Sequence, residues 1–103
     1  MRILGIDPGT GILGFGVIDV VKGKSHMVTA GVIRTPAHTP LDERLVEIYD
    51  GLNEIIAETS PSVMSIEKLF FARNVTTAMS VSHARGVAML VGKKAGLTIA
   101  EYT

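Results

Sequence analysis

Asp7 and Glu67 are the two residues of this sequence best placed to do chemistry. Each ends a short apolar run: Ile3-Leu4-Gly5-Ile6 leads into Asp7, and Ser62-Val63-Met64-Ser65-Ile66 leads into Glu67. A carboxylate at the end of a buried strand costs solvation and adds nothing to a core. A bound ligand explains it better. Paired carboxylates suit Mg²⁺ or Mn²⁺, which take oxygen ligands and keep waters that a phosphate can replace. Two such ions, ~3.5–4 Å apart, would orient and activate water for in-line attack on a phosphodiester. Taken alone, Asp7 has a second reading, as a cap on the Pro8-Gly9 turn. The recurrence of the pattern at Glu67 favours the ligand.

For the two acids to meet, their strands must lie side by side. The first strand, Ile3 to Ile6, reads as buried on both faces. After Pro8-Gly9 turns the chain, Leu13 to Val21 forms a second strand. Gly14 and Gly16 alternate on one of its faces, which either admits something close or marks a bulge. Lys22-Gly23-Lys24 makes a hairpin turn and Ser25 to Arg34 returns as the third strand of an antiparallel meander. A first helix then runs to Ser60-Pro61, where proline disfavours a helical residue before it. Thr39 is expected to cap it, Pro40 to take its first position and Asp42 the acid position of a capping box. Leu41, Leu45, Ile48, Leu52 and Ile55 give it one apolar stripe, and its acids form a solvated face.

The fourth strand, ending at Glu67, is followed by a loop and by a second helix from Val75 to about Ala95, with Asn74 as N-cap. Lys93, Lys94 and Gly96 suit that helix's C-terminus. Leu97 to Tyr102 is the fifth strand. A right-handed crossover from strand three sets strand four parallel to strand one. The carboxyl ends of strands one and four then share an edge ~4.8 Å apart, where ligands of open α/β sheets bind. The expected fold class is α/β: a five-stranded mixed sheet of order 3-2-1-4-5, strands 1–3 antiparallel, with two crossover helices on one face.

The 103 residues fit one domain and, at 47% apolar, an ordered globular one. The absence of cysteine excludes disulfides, thiolate metal sites and thiol nucleophiles. No signal peptide is evident, and no stretch approaches the roughly 20 apolar residues of a membrane span. The expected location is the cytoplasm. Net charge is zero, yet residues 1–60 hold five Lys/Arg against eight Asp/Glu, and residues 61–103 hold five against two. A polyanion would therefore meet the second half. Phe70 and Phe71 are consecutive aromatics between Lys68 and Arg73. Exposed, the rings can wedge into or stack on bases while Lys68 and Arg73 hold phosphates. The alternative is that both rings tuck under the loop. Asn74 closes the same DNA-facing stretch.

GIDPGTGILGFGV, followed about sixty residues on by IEKLFFARN and then SHARGVAML, resembles the RuvC family of bacterial Holliday junction resolvases, in the RNase H-like superfamily. The resemblance implies that Asp7 and Glu67 are catalytic metal ligands and that Phe70 meets DNA near the crossover. It further implies a Mg²⁺-dependent homodimer that nicks two opposed strands of a four-way junction, leaves ligatable 5′-phosphate ends and works with the RuvA–RuvB branch-migration motor. Two metal ions per site are implied for the complete protein, with Mn²⁺ able to substitute. The family carries two further acids on a C-terminal helix, and basic residues just before it. This chain stops at Tyr102-Thr103, ahead of both. With both helices on one sheet face, the other face lacks cover in this sequence. The expectation is a fragment that binds metal weakly and cuts poorly or not at all.

In the second helix Ala78, Ser82 and Gly86 step by four, and with Met89 they make the expected homodimer interface. Val75, Met79, Val81 and Leu90 spread apolar surface over more than one face, as in a helix buried from two directions. Gly86 could instead serve only close helix–sheet packing. His83 reads as a surface or interface residue. Two rival functions share the opening motif. One is an actin-like or sugar-kinase nucleotide-binding fold, which would need a second phosphate loop and a second domain. The other is a non-catalytic junction-binding module with a vestigial metal site.

Overall fold

A computed structural model describes residues 1–9, 11–36, 38–68 and 75–102, with the backbone alone for 75–78. Five strands, β1 (Arg2–Pro8), β2 (Ile12–Val21), β3 (Lys24–Arg34), β4 (Val63–Glu67) and β5 (Thr98–Tyr102), form one sheet in the order β3-β2-β1-β4-β5. β1 pairs antiparallel with β2 and parallel with β4, β2 pairs antiparallel with β3, and β4 pairs parallel with β5. Helices α1 (Leu41–Thr59) and α2 (Val75–Lys94) make the two crossovers. The expected order and strand directions are all present.

Strand periodicity sorts the side chains onto two faces. Leu4 and Ile6 of β1, Leu13 and Val17 of β2, and Met64 and Ile66 of β4 are buried in one cluster with Ile48 and Leu52 of α1 and Ala84, Ala88 and Val91 of α2. Both helices thus cover the same sheet face. Gly92 lets α2 sit close: a Cβ there would lie 2.8 Å from Ile99 Cδ1 and from Met64 Cε. The opposite face carries Gly5 and Asp7 of β1, Gly14 and Gly16 of β2, and Ser65 and Glu67 of β4. Among the described residues no helix covers it.

Several local expectations are corrected. Helix α1 begins one residue later than its signals suggested, with Pro40 as N-cap and no side-chain capping bond. Thr39 instead closes a turn, its N–H bonded to the Pro36 carbonyl at 3.0 Å, and Asp42 accepts from the adjacent Glu43 N–H. Proline at the cap position has no side-chain acceptor to offer the first-turn N–H groups. Leu41 is 43% exposed and stands outside the core, whereas Ile48 and Leu52 are buried. At the far end Ser60 adopts left-handed backbone (φ 51°) and returns its N–H to Ile56, ending the helix before Pro61. The hairpin turn is two residues, Lys22 and Gly23, both at positive φ, which matches the twist of β2 and β3. The sheet's register shift falls between Val17 and Ile18, so neither Gly14 nor Gly16 is a bulge.

Candidate metal centre

The parallel ladder between β1 and β4 runs Ile3↔Val63 to Ile6↔Ile66. Asp7 and Glu67 occupy the next position on each strand. Both are exposed, and both fall on the uncovered face by alternation from buried Ile6 and Ile66. Two carboxylates sixty positions apart in sequence thus stand on neighbouring strands at one sheet edge.

Their surroundings fit a hard cation. Among the described residues the ion pairs are Arg2–Asp19 and Arg85–Glu101, and neither takes up Asp7 or Glu67. Among the described residues no hydrogen bond or ion pair engages the side-chain oxygens of Asp7 or Glu67. Gly14 lies opposite Asp7 in the β1–β2 ladder, where a Cβ would make ordinary contact with Asp7 Cβ at 3.7 Å. A Cβ at Gly16 would meet nothing within 4 Å. Gly5, Asp7, Gly14, Gly16, Ala30 and Tyr102 line an open depression of about 560 Å³. Four of its lining residues in all are glycines, which leaves the sheet open to a ligand beside Asp7. Two carboxylates alone make a partial site, and among the described residues no cluster of three or more His, Asp or Glu is present.

The backbone around the two acids is pinned. Gly11 at φ 76° turns the chain after Asp7, and its carbonyl accepts the Thr35 N–H at 2.9 Å. Arg44 of α1 donates from Nε to Thr35 Oγ1 at 3.1 Å. On β4, the Lys68 N–H donates to the Tyr102 carbonyl at 2.6 Å. Arg85 of α2 donates from Nε to the Glu67 carbonyl at 3.0 Å. Neither Arg85 nor Tyr102 is among the expected site residues. Arg85 sits inside an apolar helix with nothing in its neighbours to mark it, and Tyr102 ends an ordinary edge strand.

Of the expected DNA-facing residues, Lys68 is exposed beside Glu67. Phe70, Phe71, Arg73 and Asn74 lie outside the described residues, as does the side chain of Ala78. Ser82 and Gly86 are exposed together with Met79 and Leu90 on the side of α2 away from the core. The packing role considered for Gly86 is excluded, since a Cβ there would meet nothing within 4 Å. Met89 differs: it is half-buried against the core, and Arg85 Nη1 lies 3.4 Å from its Sδ.

Comparison with known proteins gives a consistent result. The profile of the family described as "Crossover junction endodeoxyribonuclease RuvC" matches residues 3–103. The curated protein of that description from Syntrophotalea carbinolica is 48% identical over 103 residues, which are all of this chain and 64% of the relative. That from Desulforamulus reducens is 47% identical over the same span, 63% of its length. Among solved structures, "T. thermophilus RuvC in complex with Holliday junction substrate" superposes with a TM-score of 0.90 at 29% identity, covering 99% of this chain and 64% of that one. The chain spans a little under two thirds of the length of the relatives it matches.

Proposed function

Because the chain belongs to the RuvC family of crossover junction endodeoxyribonucleases, we propose that it forms most of the catalytic domain of a nuclease that resolves four-way DNA junctions in recombination and repair. The observation that carries the proposal is the placement of Asp7 and Glu67 at the carboxyl ends of adjacent parallel strands on one open face. Mg²⁺ is the cation this oxygen pair suits, two ions per complete site, with Mn²⁺ able to replace it. When bound, the metal supplies charge neutralisation at the scissile phosphate and a more acidic water. Asp7 and Glu67 fix its position relative to the sheet. The glycine-lined depression beside Asp7 leaves room for a sugar–phosphate backbone.

Lys68, next to Glu67, is suited to a phosphate adjoining the cut, and the Phe70-Phe71 pair, Arg73 and Asn74 extend that contact along the DNA. The exposed side of α2, with Ser82 and Gly86 beside Met79 and Leu90, supports a homodimer that nicks opposed strands symmetrically. The RuvA–RuvB motor is the proposed partner and the cytoplasm the proposed location. No helix among the described residues is long and apolar enough to cross a membrane. Family membership disfavours the actin-like nucleotide-binding reading.

Cleavage of a synthetic four-way junction by the natural full-length protein tests the proposal. Asp7→Asn and Glu67→Gln should each abolish cutting in Mg²⁺ while leaving junction binding within about twofold. Cutting by either variant at the wild-type rate would refute the assignment. Loss of junction binding together with cutting would move the residues from catalysis to DNA contact.

A further inference from the structure

The end of β4 has a hydrogen-bonding problem that the β1 sequence creates. The Lys68 N–H points to β5, where it donates to the Tyr102 carbonyl at 2.6 Å. Across a trans peptide the Glu67 carbonyl points the opposite way, toward β1. Continuing the parallel register past Ile6↔Ile66, the β1 group due to donate to that carbonyl is the main-chain nitrogen of residue 8. Residue 8 is proline and has no N–H. The turn that presents Asp7 therefore leaves the main chain of Glu67 without its ladder partner.

Arg85 of α2 fills the gap. Its Nε donates to the Glu67 carbonyl at 3.0 Å, its Nη2 is ion-paired with the Glu101 carboxylate on β5, and its Nη1 lies 3.4 Å from Met89 Sδ. The Arg85 side chain is 17% exposed. A planar guanidinium can serve all three directions at once, and a lysine ammonium on a flexible stem cannot hold two of them in fixed geometry.

We infer that Arg85 is a positioning residue of the metal centre: its bridge from α2 to the Glu67 carbonyl and to Glu101 fixes the β4 terminus, and with it the Glu67 carboxylate relative to Asp7. This rests on the metal-site reading of Asp7 and Glu67. Groups that orient metal ligands commonly change metal affinity about 10–100-fold when removed. The effect of Arg85 belongs near the lower end, because it acts through the main chain.

Calorimetric titration of the natural full-length protein with Mn²⁺, without DNA, tests the inference. Arg85→Lys should weaken Mn²⁺ binding about 10-fold and raise the Mg²⁺ concentration for half-maximal cleavage similarly, with the rate recovering at saturating Mg²⁺. Glu101→Gln keeps the arginine but loosens its anchor, and should weaken Mn²⁺ binding several-fold. It decides the question if Arg85→Lys does not fold. Wild-type Mn²⁺ affinity in every folded variant of the two would overturn the inference. Glu67→Gln separates the premise from the inference. Loss of Mn²⁺ binding in Glu67→Gln with wild-type binding in the Arg85 and Glu101 variants rejects Arg85 alone. Unaltered binding in Glu67→Gln removes the metal site, and the role of Arg85 with it.

Discussion

Among the described residues some acidic side chains are held in ion pairs and others are not. Asp19 is of the first kind. Arg2 grips it through two bonds, Nε to Oδ1 at 2.8 Å and Nη2 to Oδ2 at 2.9 Å, and sends Nη1 to the Thr59 carbonyl at 2.6 Å. The hydrogen bond from Arg2, more than its charge, holds the Asp19 carboxyl below its usual range, while the pair raises Arg2 further. Arg2 stays charged at every accessible pH. Because the folded value of Asp19 is depressed, its contribution to stability is complete above the unfolded value of about 4. It is lost as pH falls through the folded value. Denaturant melts between pH 5 and 2 should therefore show Asp19→Asn losing less stability on acidification than the parent. Parallel curves would rule the linkage out.

Asp7 and Glu67 are of the second kind, and both were legible in the sequence because each interrupts an apolar strand. Arg85 was not legible. Its role depends on where a ladder ends across three elements, and the signal, Pro8 two residues past the last β1 position paired with β4, has meaning only once the register is known.

At the scale of elements, sheet order and the apolar stripe of α1 followed from periodicity and crossover handedness. The N-terminus of α1 did not, since Thr39 and Pro40 carry signals that fit two adjacent positions and the turn from Pro36 took the later one. Nor could the core face of α2 be read, because the helix is apolar nearly all round. On the core side Ala84, Ala88, Val91 and Gly92 lie inward, while Met79, Ser82, Gly86 and Leu90 face outward. Close approach is the reason for glycine at position 92. Gly92→Ala would place a methyl 2.8 Å from both Ile99 and Met64, and overpacking of this kind costs about 1–3 kcal/mol. Thermal unfolding should detect that loss despite the better helix propensity of alanine. An unchanged or raised midpoint would show that the helix can shift outward freely.

For the molecule as a whole, the proposed homodimer makes Gly86 the place where folding and assembly can be tested apart. In the isolated chain its Cβ position is open, so Gly86→Glu should hold or raise helix stability, by up to about 1 kcal/mol from propensity alone. In a homodimer packed through this side of α2, the same change places a charge at a close contact. Sedimentation should find the natural full-length protein dimeric and Gly86→Glu shifted to monomer, with its melting at high dilution no worse than the parent's. A dimer unaffected by Gly86→Glu would place the interface elsewhere.

The central claim is that Asp7 and Glu67 hold one divalent cation between neighbouring strands. Anomalous diffraction from crystals of the natural full-length protein soaked in Mn²⁺ measures it directly. A manganese peak within coordinating distance of both carboxylates, ~2.0–2.3 Å as for oxygen-bound divalent ions, is the predicted result. A fully occupied manganese elsewhere, with the Asp7 and Glu67 oxygens turned away from each other, would contradict it.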